Sequence, residues 1–125
     1  MTNGKIVDSS VWVDYFNAII DQRTDTTERL INENQIIMLP VIIQEVLQGI
    51  KNQKLFLLVK YVFLSQQFIP YNHIEMAIAA ASLYRILKSK GTTIRKPNDC
   101  LIAAICIPYK IELLHNDKDL IYCKT

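Results

Sequence analysis

The 125-residue chain lacks several features that would place it in a familiar class. Its cysteines, Cys100, Cys106 and Cys123, are odd in number and form no CxxC pair, which argues against a disulfide framework. They read as small core residues, and a reducing, cytoplasmic compartment is expected. The longest apolar run, Leu55 to Leu64, is interrupted by Lys60 and falls far short of a membrane span. The polar opening from Met1 to Lys5 carries no expectation of a signal peptide. Charge of one sign is also missing. Fourteen Lys and Arg against 12 Asp and Glu leave a formal +2, too little to establish a nucleic-acid partner from the total alone. No GxGxxG or GxxxxGK[ST] occurs, so nucleotide-cofactor folds lose their main signature. The two histidines, His73 and His115, lack metal-ligand spacing.

What remains is a globular composition, 50% hydrophobic and 21% charged, without low-complexity tracts or repeats. The length suits one domain, residues 1–125, around one core.

Lys5-Ile6-Val7 is a short strand ending at Asp8, and a helix follows, capped by Asp8, Ser9 or Ser10. Thr24 to Glu33 is a polar helix with Leu30 and Ile31 turned inward. Gln35 to Leu39 is short enough for a buried strand, and Pro40 then opens a helix to Ile50. Lys54 to Gln67 is helical and apolar on almost every side, so its burial requires either its own core or a protein partner. Phe68-Ile69-Pro70 is a third strand, Ile74 to Lys88 a helix stopped near Gly91, Pro97 to Ile107 another helix, and Ile111 to Leu114 a fourth strand. Strands alternating with helices predict an α/β fold, a three-layer α/β/α sandwich on a short central parallel sheet.

The acids fall in a pattern. Asp8 follows the first strand, Glu45 lies about one turn into the helix after the second, and Asp117 comes shortly after the last. Asp99 is the third residue of the helix opened by Pro97. Ligand sites of open parallel sheets form outside the carboxyl ends of the strands, so three of these acids belong at one sheet edge. Each also has an ordinary role, as cap, macrodipole partner or solvated charge. Glu45 is the hardest to explain that way, because Ile42, Ile43, Val46 and Leu47 surround it and no Lys or Arg lies within a helical turn. Four converging carboxylates repel unless cations neutralise them, and an all-oxygen site suits Mg²⁺ or Mn²⁺. A basic stretch, Lys88, Lys90, Arg95 and Lys96, leads to Asp99, with Lys51, Lys54 and Lys118 as possible additions. Such cations can hold backbone phosphates, or can be merely solvated.

The stretches Ile6-Val7-Asp8-Ser9-Ser10-Val11-Trp12-Val13-Asp14, Gln44-Glu45-Val46-Leu47-Gln48-Gly49, Asn98-Asp99-Cys100-Leu101-Ile102-Ala103-Ala104 and Leu113 to Leu120 resemble the PIN-domain nucleases, more narrowly the VapC toxins of bacterial toxin–antitoxin pairs. The resemblance implies a Mg²⁺- or Mn²⁺-dependent endoribonuclease acting on structured RNA such as transfer RNA. It also implies a homodimer, held in check by a VapB-type antitoxin. Asp8, Glu45 and Asp99 match the family's central acids, Asp117 its more variable fourth, and Asp119 stands as a helper. By the same match, Asp8, Asp99 and Asp117 are the expected metal ligands, and Ser10 (or Ser9) is the small polar residue beside the first acid. Lys90, Arg95 and Lys96 are expected to contact RNA phosphates. Members of this family commonly continue into a final edge strand, where this chain ends at Lys124-Thr125. The alternative expectation is a catalytically silent PIN-fold binding module. A haloacid-dehalogenase-type phosphatase would need an Asp where Ser10 stands.

Overall fold

The computed structural model of the protein describes residues 4–92 and 97–115. The chain divides into two compact units, one built from residues up to Ile69 together with the exit of the last strand from Leu114, the other from Pro70 to Leu113.

In the first unit, β1 (Lys5–Val7) is followed by α1 (Ser9–Phe16), α2 (Gln22–Asn32), β2 (Ile36–Ile37), α3 (Pro40–Leu47) and α4 (Gln53–Leu64). β1 pairs in parallel with β2, Lys5 opposite Ile36 and Ile6 opposite Ile37. A last strand, β3 (Glu112–Leu114), completes the sheet order β2-β1-β3, so β1 is central. Central parallel strands are covered on both faces, and Ile6, Val7, Ile36 and Ile37 are accordingly all buried.

Gly4 sets the entry to β1. Its φ of +138° is open to glycine and strained for other residues, and a Cβ there would lie 2.7 Å from the Gln35 carbonyl oxygen. That same carbonyl accepts the Lys5 N–H at 2.9 Å, so it cannot swing aside without breaking the first rung of the sheet. Gly4→Ala is therefore expected to destabilise the protein by more than about 1 kcal/mol, read as a lower urea midpoint.

α1 begins at the Asp8 cap and carries an aromatic cluster. Trp12 is fully buried, with Phe63 of α4 edge-on at 4.9 Å and Phe16 stacked at 5.7 Å. α2 opens with a capping box, the Asp21 carboxylate accepting the N–H groups of Arg23 and Thr24 while the Thr24 hydroxyl accepts the Asp21 N–H. Its inner face buries Thr24, Thr27 and Leu30, with Ile31 only half-buried. The buried Thr27 hydroxyl is satisfied by the Arg23 carbonyl one turn back. Pro40 stands in the first turn of α3, as its missing N–H allows.

One expectation is corrected here. Phe68-Ile69-Pro70 forms no strand. Extension is limited to an isolated parallel bridge between Gln67 and Ile37, with Gln67 donating to the Ile36 carbonyl and accepting from the Met38 N–H. Beyond it, Phe68 lies exposed and gains no burial from extension, and Pro70 has no N–H to give a ladder. α4 is buried by the chain itself on one side, and the other side keeps the expectation of a protein partner open. Val59 and Phe63 face the core, whereas Leu57, Leu58, Tyr61 and Leu64 are more than half exposed.

In the second unit, α5 (His73–Ser89) packs on α6 (Pro97–Tyr109). Asn72 caps α5 by accepting the Glu75 N–H, and Gly91 terminates it with φ +79°. α6 supplies the core of this unit through Cys100, Ile102, Ala103, Ile105 and Cys106. Among the described residues, no helix is long and apolar enough to cross a membrane.

Candidate active site

β1 delivers Asp8 at the end of a buried strand, and the turn into α1 fixes its main chain on both sides. Its N–H donates to the Leu114 carbonyl at 2.9 Å, and its own carbonyl accepts from Val11 and Trp12 at 3.1 Å. The side chain is 4% exposed. Oδ2 accepts the Ser10 hydroxyl at 2.7 Å and, more weakly, the Ser10 N–H at 3.4 Å. Asp8 is thus a helix cap and a buried carboxylate at once. No basic side chain among the described residues pairs with it. A buried carboxylate with only a hydroxyl and a long amide contact bears much of its desolvation cost uncompensated. A cation would offset that cost, and a hard oxygen donor of this kind fits Mg²⁺ or Mn²⁺.

Glu45 belongs to the same unit, on α3. Ile42 and Val46 of that helix are buried, and Glu45 between them is half-buried. Asp99 belongs to the second unit. It is 5% exposed and lies in the first turn of α6, where the helix macrodipole favours a negative charge. Burial, together with the neighbouring Asp99 charge, pushes the Cys100 thiol up, so Cys100 is a protonated packing residue. Cys100 and Cys106 are both buried free thiols, as expected of core residues.

Of the remaining site residues, Lys90 is the exposed C-cap of α5. Two residues earlier, Lys88 lies over the Tyr84 ring at 5.9 Å. Asp117, Asp119, Arg95 and Lys96 lie outside the described residues. Among the described residues, no three His, Cys, Asp or Glu side chains gather into a metal-holding group. The structure joins Asp8 to Ser10 and to the end of β3, and keeps Glu45 in the same unit.

One residue that sequence reasoning passed over stands at this edge. Arg23, in the first turn of α2, donates Nε–H to the His115 carbonyl at 3.2 Å. Nothing in the sequence around it signals that contact, which spans 92 positions.

The PIN domain family matches residues 5–123, nearly the whole chain. The chain is a PIN-domain protein of the VapC type. It is similar to the VapC ribonuclease Mb1587 of Mycobacterium bovis and to ribonuclease VapC11 of Mycobacterium tuberculosis. Each is 32% identical over 119 residues, which cover 91% of this chain and 87% of the relative. Of the acids expected from the resemblance, the structure gives surroundings for Asp8, beside Ser10, for Glu45 and for Asp99.

Proposed function

We propose that this PIN-domain protein is a divalent-metal-dependent endoribonuclease, the toxin of a toxin–antitoxin pair, that cuts structured RNA such as transfer RNA in the cytoplasm. The observation that carries this reading is Asp8: a buried carboxylate at a strand end, bonded to Ser10 and to no basic side chain among the described residues, in a chain of the VapC type. The match of the family across residues 5–123 supports a single functional domain.

Asp8, Asp99 and Asp117 would hold Mg²⁺ or Mn²⁺, with Asp119 as an accessory acid, and Glu45 would either join them or orient the attacking water. The cations supply acidified water and neutralisation of charge building on the phosphoryl oxygens. Water adds to phosphorus, the bond to the leaving ribose oxygen breaks, and that oxygen takes up a proton. Ser10 fixes the rotamer of Asp8 by donating its hydroxyl proton to Oδ2, leaving Oδ1 free of that bond. Lys90, Arg95 and Lys96 would hold flanking phosphates without reading sequence.

The apolar side chains exposed on α4, Leu57, Leu58, Tyr61 and Leu64, support a protein partner. Beside them a cavity of about 450 Å³ is lined by Tyr15, Phe16, Glu28, Ile31, Leu55, Leu58 and Val62. A VapB-type antitoxin segment and a homodimer mate are the partners proposed for these surfaces.

The reading is tested by incubating the protein with a total transfer-RNA pool and Mn²⁺, alongside Asp99→Asn. Cleavage by the wild type that disappears in EDTA and falls at least about 100-fold in the variant is the expected result. Equal cleavage by both proteins would remove Asp99 from the machinery. Absence of cleavage by folded, antitoxin-free wild type would turn the assignment toward a silent binding module.

A further inference from the structure

The Arg23 guanidinium is an unassigned cation at the edge where Asp8 emerges. Asp8 donates its N–H to the Leu114 carbonyl, and Arg23 Nε donates to the carbonyl of the next residue, His115. Asp8 and Arg23 thus hold consecutive carbonyls of the chain. Arg23 is exposed, and its Nε contact is its only side-chain hydrogen bond among the described residues. The two acids nearest in sequence, Asp21 and Asp25, make no ion pair with the guanidinium, and Asp21 spends its carboxylate on the N–H groups of Arg23 and Thr24.

A guanidinium carries five donors in a rigid fork. With Nε bound to a main-chain carbonyl, the plane is oriented, and no described residue engages the Nη edge, whose geometry suits bidentate recognition of phosphate. We propose that Arg23 is a substrate-positioning residue that binds a backbone phosphate of the RNA next to the one presented to Asp8. The proposal rests on Asp8 belonging to the nuclease site.

The rival is a purely structural tether, in which Arg23 serves only to pin the end of β3. The two differ in what they do to affinity and to its salt dependence. Neutralising one phosphate releases close to one counterion, which at about 0.15 M salt is worth roughly fivefold in affinity.

The test measures binding of fluorescein-labelled total transfer RNA by anisotropy in EDTA, as a function of salt, and cleavage of the same pool with Mn²⁺. Wild type, Arg23→Ala, Arg23→Lys and Asp8→Asn are compared, with melting curves for each. A phosphate contact predicts that Arg23→Ala binds about fivefold more weakly with a salt slope lower by about one. It also raises KM with kcat within about twofold, and Arg23→Lys regains most of the affinity. Unchanged affinity and salt slope in Arg23→Ala would overturn the proposal, as would a lowered kcat that Arg23→Lys fails to rescue. If Asp8→Asn cleaves like the wild type, it is the nuclease site that fails, and the salt slope then still decides whether Arg23 binds phosphate.

Discussion

Asp8→Asn is expected to abolish cleavage, by at least about 100-fold, while leaving the melting temperature unchanged or slightly higher. The substitution separates the two jobs of the side chain. Asparagine caps helices about as well as aspartate, so the start of α1 should survive. The buried negative charge is removed, and with it a desolvation cost that the Ser10 hydroxyl and a 3.4 Å amide contact offset only in part. Loss of a group that merely orients a metal ligand commonly costs about 10–100-fold, so loss of the ligand's charge itself should exceed that range. Ser10→Ala supplies the comparison: it removes the orienting hydroxyl and should fall inside that range. Cleavage rates with Mn²⁺ and thermal melts of the same preparations check both. Cleavage by Asp8→Asn within tenfold of wild type would show that Asp8 is only a cap.

Trp12→Ala should be the most destabilising single change in the first unit, by about 3–5 kcal/mol. The indole is fully buried and is the common member of the contacts with Tyr15, Phe16 and Phe63, so its removal empties the junction of α1 with α4. A protein of this size would lose roughly 10–20 °C of melting temperature. Trp12→Phe should cost far less than this, about 1–2 kcal/mol. It keeps most of the packing and discards a buried indole N–H that has no hydrogen-bond partner among the described residues. Because Trp12 is the only tryptophan, unfolding in urea must be followed by far-ultraviolet circular dichroism. Equal losses for the two variants would mean that the site collapses around alanine and that the cluster is not a rigid support for α1.

The elements that were legible in the sequence are those specified by strong local chemistry. Lys5-Ile6-Val7 ends at an acid able to cap the next helix, and β1 and α1 meet at Asp8. Pro40 marks the first turn of α3, and Gly91 follows the end of α5. The errors arose where tertiary contacts decide. Phe68-Ile69-Pro70 has strand-like composition but finds a partner only through Gln67, before it begins. α4 is apolar on several faces, and the sequence cannot say which of them the chain itself covers; only Val59 and Phe63 are buried. Arg23 was invisible because its partner is a carbonyl far away in sequence, a contact that no residue pattern encodes.

α5 is long, and not one of its residues is buried. Its half-buried positions, Met76, Ala79, Ala80, Leu83, Tyr84 and Leu87, form the stripe set by helical periodicity, while Ile74, Ile78 and Ile86 face outward. Its stability therefore comes more from its alanines, its Asn72 cap and the charges at its ends than from apolar burial. Such a segment behaves as its own foldon, opening at a free energy below that of global unfolding. Substitutions on the exposed faces of α5 are thus expected to follow helix propensity rather than volume.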